Sequence, residues 1–414
     1  MRDDKSILIF GAGKICRSFI GQLFGQSGYN VVFADVDQKM VNELNKRKSY
    51  MVIIKGKTEE SILVPTVRAV SVLDRDAVKK EIANASIMSV SVGKNALEKI
   101  IPVIAEGLKM RQELTPGKPL DIIIAENMRS AGEFMRSRLV ELLPVNYSIN
   151  KLVGLVETSI GKMVPIMTEE DLKNDPLVIF AEPYNTLIVD KRGFKGQIPE
   201  VKGLNPKENM KAWVDRKAFI HNLGHATASY TGNFYHPEAD YIFEVLADNN
   251  IMEITRRTML QAAEILVSFY PQEFTLKDLK EHIDDLLCRF QNQALKDTVF
   301  RIGQDLPRKL GIDDRFAGII HLAQKKGQKY DYIVYAMAHG FFFRKTDEHG
   351  KLNHQDELFL KTLKDNGVEK TLIKLCGFHS GKKNKDLISE LQIHYLKLKA
   401  KKNLTNNLKY INNQ

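Results

Sequence analysis

An α/β doubly wound sheet domain followed by a mostly α-helical domain is the fold class predicted for this chain of 414 residues. Three features predict it. Short apolar runs alternate with helical patterns over the first 125 residues, as a parallel sheet with crossover helices requires. A Gly11-Ala12-Gly13 turn joins the first run to the first helix. From Pro206 onward, helical segments dominate.

The first run, Ser6-Ile7-Leu8-Ile9-Phe10, is continuously apolar, as expected for a strand buried on both faces. Gly11-Ala12-Gly13-Lys14-Ile15-Cys16 follows at once, and Arg17–Phe24 has a helical pattern. Strand, glycine turn and helix form the context of a dinucleotide fingerprint. Gly11 permits the tight turn, and Gly13 lets the backbone approach a pyrophosphate. The helix start near Ile15 offers amides and a partial positive charge to that anion. Tyr29-Asn30-Val31-Val32-Phe33-Ala34-Asp35 reads as a second strand ending in an acid, 24 residues beyond Gly11. That offset suits a carboxylate on the ribose hydroxyls, and an acid there disfavours a 2′-phosphate, so NAD is the expected cofactor. The competing reading makes Asp35 the cap of a helix over Gln38–Lys46. Cys16 occupies the third glycine position, where a slightly displaced helix is expected and packing outweighs any redox role.

Further strands are predicted at Tyr50–Ile54, Ile87–Val92, Ile122–Ala125, Val153–Glu157 and Leu187–Asp190. Val92 and Gly93, at one such strand end, are small enough for a cofactor to lie against them. Helices are predicted at Lys207–Ala228, Tyr241–Val267, Thr275–Phe290, Tyr330–Phe341, Gln355–Asn366 and Val368–Leu375. The domain boundary falls at 195–205. This gives a Rossmann-type cofactor domain over 1–200, a helical substrate domain over 201–385 and a basic tail over 386–414. A cleft between the domains is the default place for a site.

Composition is that of an ordinary globular chain, with 43% hydrophobic and 27% charged residues. The three cysteines, Cys16, Cys288 and Cys376, form no metal-ligand spacing, so no metal is expected. Such a sparse, odd set suits a reducing cytoplasm. Met1-Arg2-Asp3-Asp4-Lys5 enters the first strand directly, so no signal peptide is expected. No apolar run approaches the ~20 residues that span a bilayer. The net charge of +10 is concentrated at the end: eight lysines over Lys382–Lys409 face only Asp386 and Glu390. With Leu387, Leu391 and Leu398 among them, the segment reads as a docked amphipathic helix with a solvated face, so neither nucleic acid nor membrane is expected as a partner.

The segment Arg216-Lys217-Ala218-Phe219-Ile220-His221-Asn222-Leu223-Gly224-His225-Ala226 brings together an amine, an amide and an imidazole. On a regular helix at about 100° per residue, Asn222 lies about 140° from Lys217 and His225 about 80°, all on one broad face. Lys217 and His225 are then about 12 Å apart along the axis, so the lysine must reach or the helix must bend near Gly224. Oxidising a secondary alcohol requires a proton acceptor, and burial lowers a lysine into that role. An asparagine amide can stabilise alkoxide character, and a histidine can orient hydroxyls. Spacing alone favours a solvated lysine and a core histidine.

The motifs extend further. Phe10-Gly11-Ala12-Gly13-Lys14-Ile15-Cys16-Arg17-Ser18-Phe19-Ile20-Gly21, Phe33-Ala34-Asp35-Val36, Glu126-Asn127-Met128, Asn174-Asp175-Pro176-Leu177, Val189-Asp190-Lys191 and Phe194-Lys195-Gly196 occur in order. Lys217-x4-Asn222-x2-His225, Arg289-Phe290, Leu295-Lys296-Asp297 and Arg308-Lys309-Leu310 follow. This series resembles the polyol-specific long-chain dehydrogenase/reductase family, most closely its mannitol-1-phosphate 5-dehydrogenase branch, over most of the chain to about residue 380. The resemblance implies Lys217 as general acid/base, Asn127 and Asn222 as polarising amides and His225 as a substrate-positioning group, without zinc. It implies interconversion of D-mannitol 1-phosphate and D-fructose 6-phosphate with NAD. A small polyol or sugar phosphate is then the partner, and the protein is a monomer or small homo-oligomer. Lys191, Lys195 and Arg216 are candidate phosphate contacts. A hexuronate reductase or free-polyol dehydrogenase is the alternative within the family, and an NAD-binding regulator without turnover is the alternative outside it. The chain departs from the branch at Lys14, Cys16 and Ser18, at Gly161-Lys162 in place of Asp-Arg, and over Tyr184-Asn185-Thr186-Leu187.

Overall fold

The structure, a computed structural model, describes residues 5–412 other than 127, 129 and 380. The chain divides into two compact units, Met1–Val214 and Asp215–Gln414.

The described residues of the first unit form strands β1 (Ser6–Phe10), β2 (Asn30–Asp35), β3 (Ser49–Lys55), β4 (Glu59–Pro65), β5 (Val67–Ser71) and β6 (Ile87–Val90). They continue with β7 (Leu120–Ile124), β8 (Val153–Ser159), β9 (Ile179–Ala181), β10 (Leu187–Asp190) and β11 (Leu204–Lys207). The main sheet has the order β11-β10-β8-β7-β6-β1-β2-β5. Its six strands from β5 to β8 are all parallel and follow the doubly wound order 3-2-1-4-5-6. The order reverses between β1 and β6, the place where such sheets bind ligands. β10 extends the sheet antiparallel to β8.

β1 shows why the middle strands are apolar throughout. Ile7 and Ile9 join one core with Phe19, Ile20 and Phe24. Leu8 and Phe10 join a second core, on the opposite face, with Ile82, Leu97 and Ile101. Each such side chain contributes roughly 1.5–3 kcal/mol when fully buried.

The predicted strand at Tyr50–Ile54 exists but lies elsewhere. As β3 it belongs to a separate three-stranded sheet, β4-β3-β9. The place beside β2 is taken by β5, which the sequence reading missed. Residues of β3 are alternately buried and half-buried, the mark of a strand with one covered face. β5 is short and interrupted by exposed Arg68. The cap assignment also moves. Asp37, not Asp35, accepts the amides of Lys39 and Met40 at the start of the helix Gln38–Arg47.

In the second unit two predicted helices are subdivided. The segment predicted as Lys207–Ala228 begins in β11, and helix starts only at Met210. The segment predicted as Tyr241–Val267 breaks into Ile242–Val245 and Asn249–Phe269, the latter capped by Asp248. The helix Leu276–Phe290 opens with a capping box of Thr275 and Asp278. A final helix runs Lys382–Asn412, with Leu387, Leu391 and Leu398 buried. Lys401 Nζ donates to Tyr235 Oη at 3.2 Å, and Lys402 lies over the Phe234 and Phe342 rings. The basic helix is therefore packed onto its own unit by an apolar stripe. No helix among the described residues is long and apolar enough to cross a membrane.

Candidate active site

At the end of β1 the chain turns through Gly11, whose φ is +93°. A Cβ there would stand 2.9 Å from the Ser91 carbonyl oxygen and 3.1 Å from Cys16 Sγ. Both the backbone angle and the neighbours therefore demand glycine. Gly11→Ala is expected to cost about 1–2 kcal/mol from the left-handed backbone alone, read as a lower midpoint of chemical denaturation. Gly13 is exposed, and a Cβ there would meet nothing within 4 Å. Ile15 lies in the first helical turn, where amides have no intrahelical acceptor.

Asp35 Oδ2 accepts the Ala12 amide at 2.5 Å, and Oδ1 accepts the Asp37 amide at 2.9 Å. Asp35 thus holds the glycine turn against the end of β2. Glu126 does the same for the end of β6, accepting the amides of Val92 at 2.7 Å and Gly93 at 3.0 Å. Burial raises the Glu126 pKa, opposed by those two hydrogen bonds. Sequence reasoning gave Glu126 no task. Cys16 is buried, with Sγ 3.3 Å from the Ser91 carbonyl oxygen. Burial pushes its thiol up to about 12, so the helix start does not acidify it. The helix opens with a π turn, Cys16–Gly21, at the residue that replaces the third glycine.

The Lys217 segment departs from the regular helix assumed above. Lys217–Asn222 is a π turn between the α-helices Met210–Arg216 and Leu223–Tyr235. The 100° spacing therefore fails across these residues, because a π turn widens the helix. Gly224 does not bend the helix. A Cβ there would overlap the Met259 side chain, so it serves close helix packing. Lys217 is half-buried. Burial, followed by the charge of Arg315, lowers its pKa to about 8. Arg315 Nη1 donates to the Asn222 carbonyl at 3.3 Å, and Nε donates to Asp314 Oδ1 at 2.8 Å.

His225 is buried and stacks on Phe290, ring centroids 4.1 Å apart and planes within 3°. Its Nε2 lies 3.5 Å from Asp297 Oδ2, while Asp297 Oδ1 pairs with Arg301. Burial, then Arg301, Lys309, Arg315 and Arg289, hold its pKa well below the usual histidine range. Lys309 is a second buried lysine, brought to about 7 by burial and by Arg315 and Arg308. Its Nζ donates to the Ile302 carbonyl at 2.5 Å.

Lys217, Asn222, His225 and Arg216 thus lie on one continuous helical stretch. Asn127 lies outside the described residues. Lys191 and Lys195 belong to the first unit. Lys191 pairs with Glu208 at 2.6 Å with both side chains about half exposed, and the Lys195 side chain is exposed. Sequence reasoning missed the shell of Asp297, Arg301, Lys309 and Arg315, for which the only signals were the Leu-Lys-Asp and Arg-Lys-Leu strings. The two departures at 161–162 and 184–185 prove to be partners. Lys162 Nζ donates to Asn185 Oδ1 at 2.9 Å, and a Cβ at position 161 would stand 3.6 Å from the Tyr184 ring. Among the described residues, no group of three or more His, Cys, Asp or Glu is arranged to hold a metal ion.

Residues 5–203 match the mannitol dehydrogenase Rossmann domain, and residues 209–410 match the mannitol dehydrogenase C-terminal domain. Among solved structures, the chain resembles Pseudomonas fluorescens mannitol 2-dehydrogenase in ternary complex with NAD and D-mannitol. That likeness has a TM-score of 0.73 and 14% identity, over 99% of this chain and 94% of the other. Octopine dehydrogenase in complex with NADH and agmatine has a TM-score of 0.47 at 12% identity, covering 91% and 99% of the two chains. D-Mandelate dehydrogenase has a TM-score of 0.43 at 13% identity, covering 81% and 96%. With both of its domain families matched in order, the chain belongs to the mannitol dehydrogenase family.

Proposed function

We propose that the chain is an NAD-dependent, zinc-independent dehydrogenase interconverting a polyol phosphate and a keto-sugar phosphate, with mannitol 1-phosphate and fructose 6-phosphate as the preferred pair. The observation that carries this is Lys217, its pKa lowered to about 8, on the turn that also bears Asn222 and just before His225. The glycine turn fits a dinucleotide: Gly13 is exposed with nothing crowding it, and Asp35 stands at the end of β2. NAD supplies a hydride acceptor when bound. Unprotonated Lys217 takes the hydroxyl proton at Nζ as the carbinol carbon loses hydride, and returns it in the reverse direction. The amides of Asn222 and Asn127 donate to the oxygen as it becomes a carbonyl. His225, kept neutral by its burial and the neighbouring cations, orients a substrate hydroxyl.

A phosphorylated substrate is supported by charge. Arg289, Arg301, Lys309 and Arg315 all act electrostatically on His225, and a phosphate favours fixed cations. The earlier candidates Lys191, Lys195 and Arg216 remain part of this proposal. The first 200 residues then serve the cofactor, 201–385 carry proton transfer, and the basic tail over 386–414 is accessory. A cytoplasmic setting suits three free thiols.

Parallel assays of NADH oxidation with fructose 6-phosphate, fructose and fructuronate test the reading. Turnover of fructose 6-phosphate at a kcat/KM at least about tenfold above the others is expected, a gap of about 1.4 kcal/mol. Preference for fructose would move the assignment to a free-polyol dehydrogenase, the reading favoured by the structural likeness to a mannitol 2-dehydrogenase. Preference for fructuronate would move it to a hexuronate reductase. NADH binding without any turnover would leave a regulator.

A further inference from the structure

We propose, resting on the dehydrogenase reading above, that Asp297 is a positioning residue that holds the His225 proton on Nε2 and thereby leaves Nδ1 as an acceptor for the substrate. The Asp297 backbone is fixed on both sides. Its carbonyl accepts the Ile242 amide at 2.9 Å, and Tyr241 and Thr298 form an isolated antiparallel bridge. Lys296, at φ 51°, turns the chain into this position. The side chain is 5% exposed. Its two oxygens have separate tasks: Oδ1 pairs with Arg301, and Oδ2 faces His225 Nε2 at 3.5 Å.

Oδ2 and Nε2 are both cut off from solvent and neither has a hydrogen-bond partner, yet they face each other at 3.5 Å. Leaving a buried donor or acceptor unmet costs about 1–3 kcal/mol each. Closing that gap would relieve both costs only if the proton resides on Nε2, because a carboxylate can only accept. Phe290, parallel to the imidazole at 4.1 Å, fixes the ring plane, so in this ring orientation the tautomer decides which nitrogen bears the proton.

The carboxylate does not make an imidazolium. Arg301 already takes up part of its charge, and burial together with Arg301, Lys309, Arg315 and Arg289 opposes protonation of the ring. One shared anion against four cations and desolvation leaves the histidine neutral. Asp297 thus selects which nitrogen bears the proton, as outer-shell carboxylates do for histidines elsewhere.

Asp297→Asn keeps the shape but allows an amide N–H to face the ring, which favours the opposite tautomer. The test combines 15N correlation spectra of the full-length, histidine-labelled protein with kinetics on the best keto-sugar substrate. The His225 signals are assigned by their loss in His225→Asn. The Nε2–H form is expected in the native protein and a shift toward Nδ1–H in Asp297→Asn. The kcat should fall roughly 10- to 100-fold with NADH affinity unchanged. The His225→Asn/Asp297→Asn double variant should be no slower than His225→Asn alone, within about twofold. A native Nδ1–H form, or fully additive losses in the double variant, would overturn the proposal. If the native enzyme turns over none of the keto sugars while Asp297 still sets the tautomer, the dehydrogenase reading fails and the positioning role stands.

Discussion

Lys217→Ala is expected to lower kcat by about 100- to 10,000-fold, the range that a positioned general acid/base supplies, while NADH affinity stays within about twofold. The lysine is half-buried on a π turn and already brought to about 8 by desolvation and Arg315, so its environment is tuned for proton exchange near neutrality. Cofactor affinity is spared because the glycine turn and Asp35 belong to the first unit and Lys217 to the second. Because alanine removes an amine without introducing a new donor, added small primary amines should restore part of the lost rate. Near-native turnover in this variant, measured by single-turnover and steady-state assays with fructose 6-phosphate, would remove Lys217 from its role.

The second large effect is in the pH profile. Alcohol oxidation needs the unprotonated amine, so kcat/KM should fall about tenfold per pH unit below about 8. Carbonyl reduction needs the ammonium form and should fall as pH rises above the same point. The histidines cannot mimic this limb. Burial and neighbouring cations hold His221 and His225 well below their usual range, and His282 is brought to about 3. Lys309 is a competitor, at about 7. Lys309→Gln separates them: it should leave the limb in place, whereas Arg315→Gln, which removes a positive charge acting on both lysines, should move the limb to higher pH in either case. A limb lost or displaced in Lys309→Gln would reassign the proton-transfer group.

Much of the first unit was legible because its chemistry is local. β1 and β2 announce themselves as unbroken apolar runs, and Gly11 is required by a backbone angle no other residue adopts cheaply. The third strand of the doubly wound order was not legible. Val67-Arg68-Ala69-Val70-Ser71 is short and edge-like, whereas Tyr50–Ile54 looks more strand-like but pairs with β4 and β9. Only tertiary pairing distinguishes the two. In the candidate site, Lys217, Asn222 and His225 were visible as one string of sequence. Asp297, Arg301, Lys309 and Arg315 come from a later stretch, and nothing in the local pattern says that folding gathers their charges around one imidazole. Asp35 was legible as a strand-end acid, yet its hydrogen bond to the Ala12 amide depends on a neighbouring turn.

The widened turn at Lys217–Asn222 makes the aim of the amine a matter of chain length. Deleting one residue there would let the stretch wind as an uninterrupted α-helix and change the register of the amine against the imidazole. No exchange of side chains could produce that change of register. Indels, rather than point changes, are therefore the natural means by which a lineage or a designer could re-aim this lysine.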